Sequence, residues 1–97
     1  MRMLLRIRMD TVKGNDAIKQ GAVEKAIRGF VEKAHPEAAY FFPDKGKRAA
    51  SFIIDMQDSS EIPPLVEPFF EALDAEVELV PEMNLDDLQK GLSALGS

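Results

Sequence analysis

Residues 47–83 constrain the fold more than any other part of the chain. Apolar and polar residues alternate over 49–57, which is typical of a strand with one buried face. Pro63 and Pro64 then follow a capping sequence and begin an apolar stripe at helical spacing, from Ile62 to Leu73. A second alternation covers residues 76–82. The segment therefore predicts a strand, a helix and a second strand in succession.

The first half of the chain repeats this order. Residues 2–10 alternate, and residues 18–34 carry an apolar stripe at helical spacing that continues through Gly21 and Gly29. Gly14, Asn15 and Asp16 are predicted to break the strand pattern and to cap the helix that follows. The helix is expected to end at His35, because the residue before a proline is displaced from the helical region.

Three further elements complete the prediction. Residues 38–42 form a short β-prone run, and Gly46 can adopt the positive φ of a tight hairpin before the strand at 49–57. Asn84 begins a last helix, which Gly96 ends. Its apolar stripe consists of Leu85, Leu88, Leu92 and Leu95. The order is βαββαβα.

Right-handed crossovers place the two long helices of such a chain on one face of a four-stranded antiparallel sheet. The predicted strand order is 4-1-3-2, which is the ferredoxin-like α+β fold with an extra C-terminal helix. No linker or low-complexity run interrupts the pattern. We therefore expect residues 1–97 to form a single domain.

Composition excludes several classes of function. The chain has no cysteine, so disulfides, thiolate nucleophiles and cysteine-bound zinc are ruled out. A net charge of −5, without a basic patch, argues against nucleic acid as a partner. No apolar segment approaches the roughly 20 residues of a membrane span or resembles a signal peptide. We expect a cytoplasmic protein with no cofactor, no metal and no membrane partner.

The sheet face opposite the helices is predicted to be half apolar, which a solvated face rarely is. Tyr40 and Phe42 are assigned to this face, although the pattern leaves their phase open. The other residues predicted on it are Leu4, Arg6, Arg8, Asp10, Ser51, Ile53, Asp55, Glu76, Glu78 and Val80. A chain of this size gains stability by associating. We therefore expect a homodimer through facing sheets.

The strand order, the mixed open face and the leucine-striped terminal helix resemble the dimeric α+β barrel superfamily, which includes muconolactone isomerases and antibiotic-biosynthesis monooxygenases. The chain more closely resembles uncharacterised bacterial families, of the kind filed as domains of unknown function. That likeness is carried by three segments: residues 52–56, 68–70 and 75–78. The resemblance covers nearly the whole chain and implies a fold and a dimer.

Four residues are the candidates for binding a ligand: Arg6, Arg8, Tyr40 and Asp55. Two guanidinium groups on one strand face suit a carboxylate or a phosphate. The competing interpretation is that both arginines pair with Asp55, Glu76 and Glu78 across the strands. Tyr40 either lines a pocket with its aromatic neighbours or fills the core.

Other polar residues have simpler structural explanations. His35 suits a general base, but a histidine at a helix end more commonly meets the terminal carbonyls. Acids beside Asn84 are expected in a first helical turn, and Asp58 with Glu61 resembles a capping box rather than a metal site.

The sequence contains no catalytic spacing, and the predicted helical layer is almost wholly apolar. We therefore expect a non-catalytic homodimer that binds a small anionic metabolite or acts as an interaction module. The alternative is a cofactor-independent isomerase or monooxygenase-like enzyme that acts on a small organic substrate in a cavity beside these four residues.

Overall fold

The computed structural model describes residues 1–96. Its strands and helices follow one another as β1 (Arg2–Arg8), α1 (Thr11–Lys19), α2 (Ala22–Ala34), β2 (Ala38–Asp44), β3 (Lys47–Asp55), a 3₁₀ turn (Ser59–Glu61), α3 (Ile62–Leu73), β4 (Glu76–Pro81) and α4 (Leu85–Leu95).

The four strands form one sheet in the order β2-β3-β1-β4, and every neighbouring pair is antiparallel. β1 is central, with Leu5 opposite Phe52 of β3 on one side and Leu79 of β4 on the other. The order is the predicted 4-1-3-2 read from the other edge. The predicted ferredoxin-like α+β fold is thus confirmed.

The core lies between the sheet and the helices, and three phenylalanines form its centre. The ring of Phe30 on α2 lies 4.6 Å from that of Phe52 on β3 and 5.3 Å from that of Phe69 on α3. Phe52 and Phe69 are completely buried. Tilted ring pairs at these distances add about 0.5–1.5 kcal/mol to the free energy gained by burying their area.

The first crossover contains two helices where the apolar stripe predicts one. Gly21 separates α1 from α2 with a φ of 73°, a left-handed conformation that glycine adopts without a steric penalty. Gly14, Asn15 and Asp16 lie inside α1, so the predicted break and cap at these residues are wrong. The cap is Asp10, whose side chain accepts a hydrogen bond from the Lys13 amide at 2.9 Å. β1 therefore ends at Arg8.

The hairpin between β2 and β3 forms as predicted, but its strands reach closer to the turn. Lys45 and Gly46 both have positive φ, which suits the tight two-residue loops of twisted strands. β2 continues to Asp44, and β3 begins at Lys47 instead of Ala49. Asp44 is therefore a sheet residue.

Three prolines shape α3 and its contact with α2. Pro63 and Pro64 lie in the first turn, as predicted, where a missing amide costs little. Pro68 lies inside the helix and has no amide to donate to the carbonyl of Pro64. Lys33 of α2 donates to that carbonyl at 3.3 Å. This hydrogen bond satisfies the Pro64 carbonyl, which Pro68 cannot, and it also joins α2 to α3.

α4 extends away from the rest of the fold. None of its residues is buried, and its leucine stripe is between 40% and 82% exposed. The radius of gyration is 15.5 Å, against about 12.5 Å for a compact chain of this length. The stripe forms at its predicted positions, and within residues 1–96 no layer covers it. No helix of the described chain has the length and apolar character that a membrane crossing requires.

We predict that Phe69→Ala lowers the free energy of unfolding by about 3–5 kcal/mol, because it removes a completely buried ring and leaves a cavity. The neighbouring Phe70 is 42% exposed and provides the control. Phe70→Ala should cost less than about 1.5 kcal/mol. Urea unfolding followed by circular dichroism measures both, and equal losses would contradict the assignment of Phe69 to the core.

Candidate functional site

The sheet face opposite the helices, here called the open face, is organised in three rows that run across all four strands. The strand register defines them: an apolar row of Ala38, Ile53, Leu4 and Val80; an Arg6 row of Tyr40, Ser51, Arg6 and Glu78; and an Arg8 row of Phe42, Ala49, Arg8 and Glu76. Tyr40 and Phe42 therefore lie on the predicted face. The face carries one apolar row beside two polar ones.

Arg8 is held by carboxylates on both sides. Its Nε and Nη2 donate to Oδ2 of Asp44 at 3.3 and 3.0 Å, and its Nη1 donates to Oε2 of Glu76 at 2.6 Å. The pKa of Arg8 is raised, first by the hydrogen bond with Asp44 and then by the charges of Asp44 and Glu76. Only 17% of its side chain is exposed. Arg8 thus links β2, β1 and β4 and has little capacity left for a ligand.

Arg6 differs from Arg8 although it lies two residues away on the same face. Its Nε is buried and has no hydrogen-bond partner within residues 1–96. Ser51 and Glu78 are its register partners on the neighbouring strands, and Tyr40 follows beyond Ser51. A buried donor without an acceptor costs about 1–3 kcal/mol. Arg6 is therefore the residue of the open face with a buried donor that residues 1–96 leave unsatisfied.

Tyr40 is 64% exposed, so it does not fill the core. Ser51 lies between Tyr40 and Arg6 in the row and has a much smaller side chain than either. Hydroxyl groups of serine and tyrosine both donate hydrogen bonds. The row thus places three polar side chains with donor groups on adjacent strands.

Asp55 lies apart from this group, at the end of β3. Its Oδ1 accepts from the N-terminal ammonium at 2.8 Å, and its Oδ2 accepts from the Gln57 amide nitrogen at 2.8 Å. The pKa of Asp55 is lowered, first by the hydrogen bond and the charge of the ammonium. Asp55 lines an open groove of about 680 Å³ together with Arg2, Glu37 and the residues that lead into α4. Arg6, Arg8 and Tyr40 do not line that groove.

Arg2 links the same end of the sheet to α4. Its Nε donates to Glu37 at 3.1 Å, and its Nη1 lies 3.5 Å from Oδ2 of Asp87. The pKa of Arg2 is raised, first by the hydrogen bond with Glu37. The first turn of α4 is thus anchored beside β1.

The remaining sequence candidates have structural roles. His35 ends α2 with a φ of 46°, and its backbone amide donates to Val31. Asp58 and Asn84 each form a complete capping box, with Glu61 and Asp87 respectively. Phe41 packs on the helix side, with its ring edge toward Phe52 at 6.0 Å. Residues 1–96 contain no group of three or more acidic or histidine side chains suited to a metal ion.

Asp44 is the partner of Arg8 that the sequence pattern does not reveal. The sequence pattern predicts that Asp44 belongs to the turn with Lys45 and Gly46. In the structure it is the last residue of β2. The alternation of a strand is the one signal that could have placed it. Asp44 follows Phe42 by two residues, so in an extended β2 the two side chains lie on the same face of the sheet.

We predict that Arg8→Gln lowers the Tm by several degrees, because Asp44 and Glu76 lose a shared counterion. Differential scanning calorimetry measures the change. Arg28→Gln is the matched control, since within residues 1–96 Arg28 pairs only with Glu24, on the exposed surface of α2, and such a pair contributes little. Equal shifts in the two variants would show that Arg8 is no more important than an exposed helix pair.

The ion pair of Asp55 predicts a pH-dependent contribution to stability. The pKa of Asp55 in the folded chain lies below its ordinary value of 3.8, so the folded state binds fewer protons there than the unfolded state. The stabilisation is present above that value and is lost as the pH falls through the folded pKa. Asp55→Asn should therefore reduce the Tm at pH 7 only slightly, because Met1 and Asp55 are 66% and 69% exposed, and the gap to the wild type should close as the pH falls below 3.8.

Thermal unfolding at a series of pH values checks this expectation. Asp16→Asn makes the same substitution on the exposed surface of α1. If it reduced the Tm as much as Asp55→Asn at pH 7, the ammonium pair would not be the cause of the loss.

Comparison with known proteins identifies the fold alone. No protein-family model matches the chain, and no curated protein matches its sequence. Among solved structures, it is similar to the de novo designed protein Ferredog-Diesel, with a TM-score of 0.54, 12% identity, and coverage of 84% of this chain and 85% of that one. It is also similar to part of a formyltetrahydrofolate deformylase from Pseudomonas putida KT2440, with a TM-score of 0.50, 13% identity and 84% coverage. The match spans only 28% of the deformylase. Both comparisons agree with the ferredoxin-like architecture.

Proposed function

We propose that this protein is a non-catalytic homodimer that binds a small anion, a carboxylate or a phosphate, at Arg6 on its open face. The observation that carries the proposal is the buried Arg6 Nε without a partner. Nearby, Arg8 has three donor groups already engaged by carboxylates. The anion site is therefore proposed for Arg6 and not for both arginines.

The neighbours of Arg6 favour an oxyanion as the ligand. A guanidinium donates to a carboxylate or a phosphate through two parallel hydrogen bonds, which are stronger than neutral ones. Ser51 and Tyr40 follow Arg6 in the row and add two hydroxyl donors on adjacent strands. Glu78, on the opposite side, disfavours a large or highly charged anion by repulsion. A small monoanion or dianion suits this arrangement.

Two features support binding without catalysis. Among residues 1–96, no polar or charged residue falls in the buried class, so the layer between sheet and helices offers no buried polar side chain to act as an acid or a base. The open face itself is part apolar, and no layer formed by residues 1–96 covers it. A second copy of the chain would remove that surface from water, which supports the homodimer. The predicted isomerase or monooxygenase-like activity stays an alternative prediction.

Titration of the full-length ¹⁵N-labelled protein with inorganic phosphate, and separately with succinate, tests the anion site. We expect the largest chemical-shift changes at the Arg6 Nε–H and at the amides of Ser51 and Tyr40. Arg6→Gln should raise the Kd at least about tenfold, because it removes a charge-assisted pair of hydrogen bonds. Arg6→Lys keeps the charge without the planar fork and should bind with intermediate affinity.

Arg28→Gln is again the matched control, since it removes one positive charge at an exposed helix position. It should leave the Kd unchanged. An unchanged affinity in Arg6→Gln, or equal losses in both variants, would contradict a site at Arg6 and would indicate non-specific attraction to positive charge.

A further inference from the structure

α4 presents an apolar stripe that no other part of the described chain covers. Within residues 1–96 it makes no extensive packing contact with another helix or strand. Its leucines recur at spacings of three and four, so they lie on one side of the helix. Asp86, Lys90 and Ser93 lie on the other side. An isolated helix of 11 residues is marginal in water, and such a helix gains its stability from packing.

The apolar row of the open face is the matching surface. Its four members lie on four neighbouring strands, which are about 4.8 Å apart, so the row is about 14 Å long. The stripe from Leu85 to Leu95 covers ten residue steps at about 1.5 Å each, or about 15 Å. The two surfaces are thus apolar, uncovered within residues 1–96 and of similar length.

We propose that α4 of each copy packs its leucine stripe along the apolar row of the second copy. This inference rests on the proposed homodimer and specifies the element that forms it. The exchange is reciprocal, so the two copies are related by a two-fold axis. Each sheet is then covered by its own helices on one face and by the partner's α4 on the other, beside the Arg6 row.

The anchoring of α4 favours a second copy over the helix's own sheet. Only residues 82–84 separate β4 from α4, and the capping box of Asn84 and Asp87 fixes where the helix begins. Asp87 also lies 3.5 Å from Arg2, at the end of β1. The chain measures 56 Å along its longest axis, against 28 and 18 Å along the others. α4 thus extends beyond the sheet, where another copy can meet it.

The area needed for a stable dimer supports the same arrangement. Four strands about 4.8 Å apart and about seven residues long give the open face a footprint of roughly 440 Å². A standard interface buries about 800 Å² per partner. An exchanged helix, about 16 Å long and 10 Å across, adds roughly 160 Å² to the contact of each copy, since the surface it covers is already part of the open face. Contact that includes α4 is therefore closer to the standard size than contact between the open faces alone.

Sedimentation equilibrium of the full chain tests the inference with two variants of equal charge. We expect the wild type to have twice the monomer mass of 10.8 kDa. Leu92→Glu introduces a carboxylate into the stripe and should raise the dimer dissociation constant at least about tenfold. Ser93→Glu introduces the same charge on the opposite side and should leave that constant unchanged. Circular dichroism checks that both variants stay folded, as expected for exposed positions.

Cysteine cross-linking tests the contact itself, because the chain has no cysteine of its own. Protein with Ile53→Cys is mixed with protein carrying Leu88→Cys and then oxidised. We expect a disulfide-linked heterodimer from this mixture and little from Ile53→Cys mixed with Ser93→Cys.

The outcomes separate this inference from the proposed function. A dimeric wild type in which Leu92→Glu stays dimeric and no cross-link forms would overturn the exchange of α4, while the homodimer would stand. A monomeric wild type would overturn both the homodimer and the exchange. Anion binding at Arg6 is decided independently, by the titration.

Discussion

The two-residue repeat of β1, at the centre of the sheet, determines how the rest of the structure is arranged. β1 is paired on both sides, so it cannot shift its register without breaking two ladders. Its odd-numbered residues are buried beneath the helices, and Leu5 and Ile7 are completely inaccessible. Its even-numbered residues must then lie on the open face. Three of the four are arginines, and the packing of the core therefore concentrates positive charge on the opposite side.

The register then decides the environment of each arginine. Arg8 faces Ala49, which is small enough for the guanidinium to reach Asp44 on the strand beyond, while Glu76 approaches from the other side. Arg2 reaches Glu37 and Asp87 at the sheet end. Arg6 faces Ser51, and the residue beyond is Tyr40, which has no carboxylate. Carboxylates thus pair with the outer two arginines, whereas the Nε of Arg6 has no acceptor within residues 1–96, although Glu78 is its register partner on β4.

Periodicity made most of this arrangement predictable. The strand order, the two faces of β1 and the leucine positions of α4 all follow from repeats of two or of about 3.6 residues, which are properties of local sequence. The pattern does not predict the division of the first helix at Gly21, because the apolar stripe continues across the break and glycine occurs both within helices and between them. Nor does it place Asp44 in the sheet, since turn residues and the last residues of a hairpin strand have similar compositions.

The candidate site was less predictable than the fold, because it depends on which groups are left over after the others have paired. The sequence places Arg6 and Arg8 on one face, but only the register shows that Arg8 reaches two carboxylates and that Arg6 Nε reaches none. The same holds for α4, whose stripe is visible in the sequence while the absence of a covering layer is not. A donor without an acceptor and an apolar stripe without a covering layer both cost free energy in the isolated chain. An exchanged helix along the apolar row would cover the stripe, and an anion bound at Arg6 in the neighbouring row would satisfy the donor, so the proposed dimer would remove both costs.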